Sequence, residues 1–162
     1  MLESEFSGCL VGSHRVRKNL DTAEITRLAL DPVIRDKSLS ARFILTLIKG
    51  IYQWALVHDI RYFYLVVEHR FLRMLQRLGI SCDPLGPPVA LPPARVLSIA
   101  AVMDIVKCET ALAQIRPQLM EWMGTTVTTE GKMVEGSTKQ CGEVELGFPA
   151  QAEQLSILLP TA

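Results

Sequence analysis

The segment that most restricts the fold is residues 61–78, RYFYLVVEHRFLRMLQRL. Its first part, Arg61–Val67, is dense in aromatic and β-branched residues and predicts a strand. Its second part, Glu68–Leu78, sets Phe71, Met74, Leu75 and Leu78 on one helical face and Arg70, Arg73 and Arg77 on the other, with Gly79 placed to end the helix. A strand running directly into an amphipathic helix needs a sheet layer with a helix layer packed on it. The rest of the chain up to Gly124 keeps the alternation. Cys9–Val16 and Ala23–Leu30 read as strands, the second stopped by Asp31-Pro32. Ser38-Leu39-Ser40 offers N-caps for a helix from Ala41 to about His58, with Phe43, Leu47, Ile51 and Trp54 at helical spacing. Ile80-Ser81-Cys82 begins an extended piece, and DPLGPPVALPPAR reads as a rigid loop. Val96–Met103 reads as a further strand, and Asp104–Met123 as a helix broken at Pro117. The expected order is β-β-α-β-α-β-α, an α/β sheet with crossover connections.

Composition narrows the function classes. At 162 residues and 49% hydrophobic content the chain suits one compact domain. Residues 1–124 carry the core pattern. Residues 125–162, rich in Thr, Gly, Glu and Gln, read as a disordered tail. Lys+Arg and Asp+Glu balance at 17 each, which argues against a general nucleic-acid or membrane-surface binder, since both need a basic excess. Cys9, Cys82, Cys108 and Cys141 are far apart, and His14, His58 and His69 have no partners at metal spacing. A zinc site or disulfide scaffold is therefore not expected, and a reducing compartment fits. The longest apolar stretch, Phe43 to Val57, is interrupted by Thr46, Lys49, Gly50 and Gln53, too polar for a membrane span. The acidic opening Met1-Leu2-Glu3-Ser4-Glu5 does not read as a signal peptide. A soluble, cytoplasmic chain is the expectation.

Three features bear on chemistry. In AEITRLALD, Glu24 and Arg27 stand three apart, on opposite faces of a regular strand. A β-bulge between them would bring both to one side, with Glu24 as general base for an amine and Arg27 orienting it or holding an anionic group. A surface ion pair on an edge strand is the competing reading. The stripe Arg70, Arg73, Arg77 suits an acidic partner, or is simply a solvated face. Cys82 reads as a buried small hydrophobe more readily than as a reactive thiol. No phosphate-loop, dinucleotide or nucleophile-elbow motif is present.

Taken in order, AEITRLALD, a long helix, and then RYFYLVVEHRFLRMLQRLGISCDPLGPPV resemble one branch of the GNAT acyltransferase superfamily. That branch holds the long-chain N-acyl amino acid synthases, the exosortase-associated acyltransferases and the acyl-homoserine-lactone (autoinducer) synthases. Glu24-Ile25-Thr26-Arg27-Leu28-Ala29-Leu30 fits its E-[IT]-[ST]-R-[LF]-A-[VL] strand. Leu75–Ile80 and Leu85-Gly86-Pro87-Pro88 fit its later motifs, and the double proline looks more like the first two groups. The resemblance spans roughly residues 10–123. It implies a GNAT-like mixed sheet flanked by helices with a shortened N-terminal part, about 22 residues preceding Ala23. It also implies transfer of a long acyl chain from acyl carrier protein to the amine of an amino acid or related acceptor. No bound cofactor is implied; the donor is the carrier's acyl-phosphopantetheine. In that frame Glu24 is the base and Arg27 organises the site. Backbone N–H groups of Leu28, Ala29 and Leu30 hold the thioester carbonyl, and Ser40 and Arg42, with Ser38, take the arm's phosphate. Arg70, Arg73 and Arg77 then dock the carrier. RDKSLSAR has no glycine where acetyl-CoA enzymes of the superfamily carry a Gly-rich loop. The alternatives are an acyl-homoserine-lactone synthase or a catalytically incomplete fragment that binds carrier without turnover; an oligomer is possible.

Overall fold

The computed structural model of the chain describes residues 2–3, 5–11, 16–26, 28, 33–91 and 95–125. β1 (Thr22–Ile25) opens the sheet, and α1 (Lys37–Val57) carries the chain to β2 (Tyr62–Glu68). Then come α2 (His69–Arg77), β3 (Cys82–Pro84), β4 (Val89–Leu91), β5 (Val96–Asp104), α3 (Ile105–Ile115) and α4 (Pro117–Gly124). The strand order is β1-β2-β5-β3, with β4 also on β5. β1 and β2 are parallel, whereas every pairing with β5 is antiparallel. This is the mixed α/β sheet flanked by helices that the sequence predicts.

The local stops follow from residue chemistry. Gly79 takes φ +89, open to glycine at no steric cost, and the Ile80 N–H donates to the Leu75 carbonyl to close α2. Pro117 stands at the start of α4, where its missing N–H costs nothing, so the expected helix is split in two. Asp104 ends β5 and caps α3 by accepting from the Val106 N–H at 3.0 Å. The same carboxylate takes the Arg61 guanidinium at 3.3 Å, tying the end of β5 to the start of β2.

Four expectations are corrected. Cys9 lies in a short 3-10 turn, Ser7–Cys9, not in a strand, and residues 12–15 fall outside the described set. The cap of α1 is Asp36, whose side chain accepts from the Leu39 N–H at 2.8 Å, so the helix starts before the two serines. Phe43, Leu47 and Trp54 do not form its core face; they are 42%, 41% and 47% exposed, and Ala41, Leu45, Ile48 and Tyr52 are buried instead. The expected proline-rich loop is not all loop: the extended piece begun at Cys82 runs into it as β3, and β4 lies within it, the two lining one edge of β5 with a break at residues 85–88. The strand pattern after β1 bears on Arg27, Ala29 and Leu30, which lie outside the described residues, as does the expected tail beyond Thr125.

The two sheet faces are covered differently. Residues of all four helices, among them Leu45, Leu72, Leu112 and Leu119, pack on Phe63 and Leu65 of β2 and on Ile99 and Ala101 of β5. On the other face Tyr64 and Ala100 pack against Leu2, Cys9 and Leu85, so the segment before β1 forms that lid. Cys82 and Cys108 sit on the helical side, where burial pushes each thiol up to about 12. Cys82 is 3% exposed, in keeping with its reading as a small hydrophobe. Both thiols should resist alkylation at pH 8 in the native protein and react once it is unfolded in urea; rapid native labelling at either position would contradict their burial. Each native thiol titrates above its unfolded counterpart. Their contribution to stability is therefore full below the unfolded value of about 8.5 and is lost as pH rises toward 12.

Candidate active site

Period-2 alternation puts Thr22 and Glu24 of β1 on the face away from the helices, and the parallel register sets Glu24 beside Tyr64. There they line a cleft of about 210 Å³ together with Leu2, Glu3, Val16, Arg17 and Lys18. Glu24 is exposed, whereas Tyr64 is buried, and its hydroxyl accepts from the Arg17 N–H at 3.1 Å. That bond holds residues 16–18 across the sheet. The Arg17 guanidinium lies 4.2 Å from the centre of the Tyr62 ring and pairs with Asp21 at 3.3 Å. Lys18 pairs with Glu3 at 2.6 Å, and that hydrogen bond holds the Glu3 carboxyl below the usual carboxylate range. The cleft is therefore a small polar site with two acids, two bases and a phenol on one buried strand.

The backbone beside it is as relevant as the side chains. The β1–β2 ladder ends at Ile25 and Leu65, whereas β2 continues with β5 to Glu68. Among the described residues no strand pairs the β1-side edge of residues 66–68. Thr26 and Leu28 have left the strand at that point. An unpaired strand edge of this kind accepts an extended chain through its backbone groups.

The other sequence-derived candidates distribute as follows. Ser40 is in the first turn of α1, its hydroxyl donating to the Asp36 carbonyl at 2.8 Å, and Arg42 is exposed one turn in. Arg70, Arg73 and Arg77 are all exposed along α2. Leu28 is half-buried; Arg27, Ala29 and Leu30 are outside the described residues, so the bulge that would align Arg27 with Glu24 is not on view. Sequence reasoning missed Tyr64, Arg17 and Lys18. The only signal for Tyr64 was the alternation within RYFYLVV, which fixes its face but not its neighbour. Among the described residues no three His, Cys, Asp or Glu side chains group to hold a metal, and no helix is long and apolar enough to cross a membrane.

No protein-family model and no curated protein matches the chain. Solved structures do. LasI, an acyl-homoserine-lactone synthase, is 18% identical with a TM-score of 0.56, over 70% of this chain and 57% of LasI. TofI in a ternary complex with an inhibitor and MTA is 20% identical at 0.55, over 74% of this chain and 58% of TofI. The CoA-dependent acyl-homoserine-lactone synthase BjaI with MTA is 19% identical at 0.55, over 70% and 52%. The fold is GNAT-like. The chain thus shares the architecture of the autoinducer synthases while spanning a little over half the length of each.

Proposed function

We propose that the chain is an N-acyltransferase that takes a long acyl group from a pantetheine thioester, carried by acyl carrier protein, to the amine of a small amino acid-like acceptor. The observation that carries this reading is the position of Glu24: on the cleft, one residue before the β1–β2 ladder stops and the edge of β2 becomes available. An extended thioester arm along residues 66–68 would bring its carbonyl to that end of β1. The acceptor nitrogen attacks the carbonyl carbon while Glu24 takes the N–H proton. The tetrahedral intermediate collapses by breaking the C–S bond, and the pantetheine sulfur leaves as thiolate and is protonated. Backbone N–H groups at positions 28–30 are the proposed donors to the transient oxyanion, with Arg27 as organiser. The exposed Arg70, Arg73 and Arg77 offer an acidic carrier a face for steering and exposed ion pairs.

A second reading has its own support. The similar structures are autoinducer synthases, and BjaI has been seen with SAM and isopentyl-CoA. That favours an acceptor in which an amino acid is joined to a nucleoside through a sulfonium, and admits acyl-CoA as donor. One experiment separates the readings: the purified chain is given acyl carrier protein or CoA thioesters of matched acyl length, with a pool of amino acids or with SAM, and products are read by mass spectrometry. Acyl amino acid from the carrier thioester alone is the expected product. Acyl-homoserine lactone would favour the second reading. Carrier binding without product under any pairing would overturn catalysis and leave a carrier-binding module.

A further inference from the structure

α1 has two apolar faces and the described protein uses only one. Its core side is buried, but Leu39, Phe43, Leu47, Trp54 and Val57 are 41%, 42%, 41%, 47% and 77% exposed. With Gly50 they recur at steps of four and three residues, which is one continuous stripe along five turns, roughly 27 Å. A Cβ at Gly50 would meet nothing within 4 Å, so the middle of the stripe is open. A second apolar stripe on the outer side of a helix marks an interaction surface.

The middle of the stripe also matches itself. About a point between Ile48 and Lys49, Leu47 is equidistant with Gly50, Phe43 with Trp54, and Leu39 with His58. A two-fold axis there would lay a second α1 antiparallel on the first. Each Leu47 would face the notch at the other copy's Gly50, and each Phe43 ring the other copy's Trp54. Antiparallel packing sets opposite helix-dipole ends side by side. No charged residue occupies the stripe positions themselves, and Arg42 lies to one side of them. From these observations we infer that this face of α1 is a homodimer interface, with a second copy of the chain as its occupant. The exposed apolar area, roughly 500 Å² per copy and about 1,000 Å² for two, falls just below the range of stable specific interfaces and predicts a reversible dimer, not an obligate one.

Sedimentation equilibrium on the full chain tests this. The apparent mass should rise with concentration from 18.0 kDa toward twice that value. Phe43→Glu should shift the midpoint at least tenfold to higher concentration, whereas Leu56→Glu, at an exposed position on another side of α1, should not. Circular dichroism of both variants confirms that they fold. A monomer at every concentration overturns the inference. If Trp54 fluorescence, read in a Trp122→Phe background, is then shielded from iodide, residues beyond 125 of the same chain cover the face; if it is quenched, the face awaits a different protein. A dimer that Phe43→Glu leaves intact overturns it as well, since the interface must then lie elsewhere.

Discussion

Glu24→Gln should lower the rate of amide formation by about 10² to 10⁴, the usual worth of a positioned general base, while leaving the fold and the binding of the thioester intact. In barrier terms this is about 3–5 kcal/mol. The carboxylate and the amide have nearly the same shape, and Glu24 is exposed, so the melting temperature should stay within the range of ordinary surface substitutions. The loss should fall on kcat, because the proton moves only as the transition state forms. A nucleophile already deprotonated at neutral pH, such as hydroxylamine, should recover part of the lost rate in the variant but gain little in the wild type. Mass spectrometry of single-turnover mixtures measures both effects. An unaltered rate, or a variant that unfolds, would remove Glu24 from the role of base.

Gly86→Ala should be the costliest small change to the architecture of the site. A Cβ there would stand 2.5 Å from the Cys9 carbonyl oxygen and 3.3 Å from the Val11 nitrogen, both backbone atoms. Neither side is free to retreat. The Val11 N–H donates to the Leu85 carbonyl at 3.1 Å, and the Leu85 N–H donates to the Ala100 carbonyl of β5 at 2.9 Å. The methyl group must push residues 9–11 off the loop, which unseats Cys9 and Leu2, 0% and 1% exposed. Overpacking of this kind costs about 2–3 kcal/mol. Because Leu2 and Glu3 wall the cleft, acceptor affinity should fall with stability. Gly8→Ala is the control, since its Cβ would meet nothing within 4 Å, and it should change stability by no more than about 0.5 kcal/mol. Urea denaturation of the two variants decides the point, and equal midpoints would refute the close approach at Gly86.

How much of this was legible beforehand depends on whether the information is local. Arg61–Val67 and the helix after it were readable because pattern, propensity and the Gly79 stop agree, and the observed bounds differ by one residue. The break at Pro117 is equally local. The side on which α1 packs was not legible: two apolar stripes run along it, with Arg42, Thr46 and Gln53 on one boundary between them, and a 3.6-residue period does not choose which is buried. Cys9 reads as part of a strand because Val11 and Val16 are β-branched, but its place is set by the approach to Gly86, 77 positions away in sequence. β4 is three residues between prolines, a length at which propensity says little; edge strands accept prolines that central strands reject. Glu24 was found through its motif, whereas its pairing with Tyr64 is a matter of register, which one sequence does not encode locally.

The interrupted border along β5 has a consequence for assembly of another sort. A long, flat sheet edge is a template on which further chains add, strand upon strand, toward fibrous aggregates. Here that border is split into two three-residue pieces, and Pro84, Pro87 and Pro88 remove three amide donors from it. An incoming strand would find its hydrogen-bonding row interrupted where it most needs continuity. The proline-glycine run that shapes the lid of the cleft therefore also keeps the sheet finite on that side.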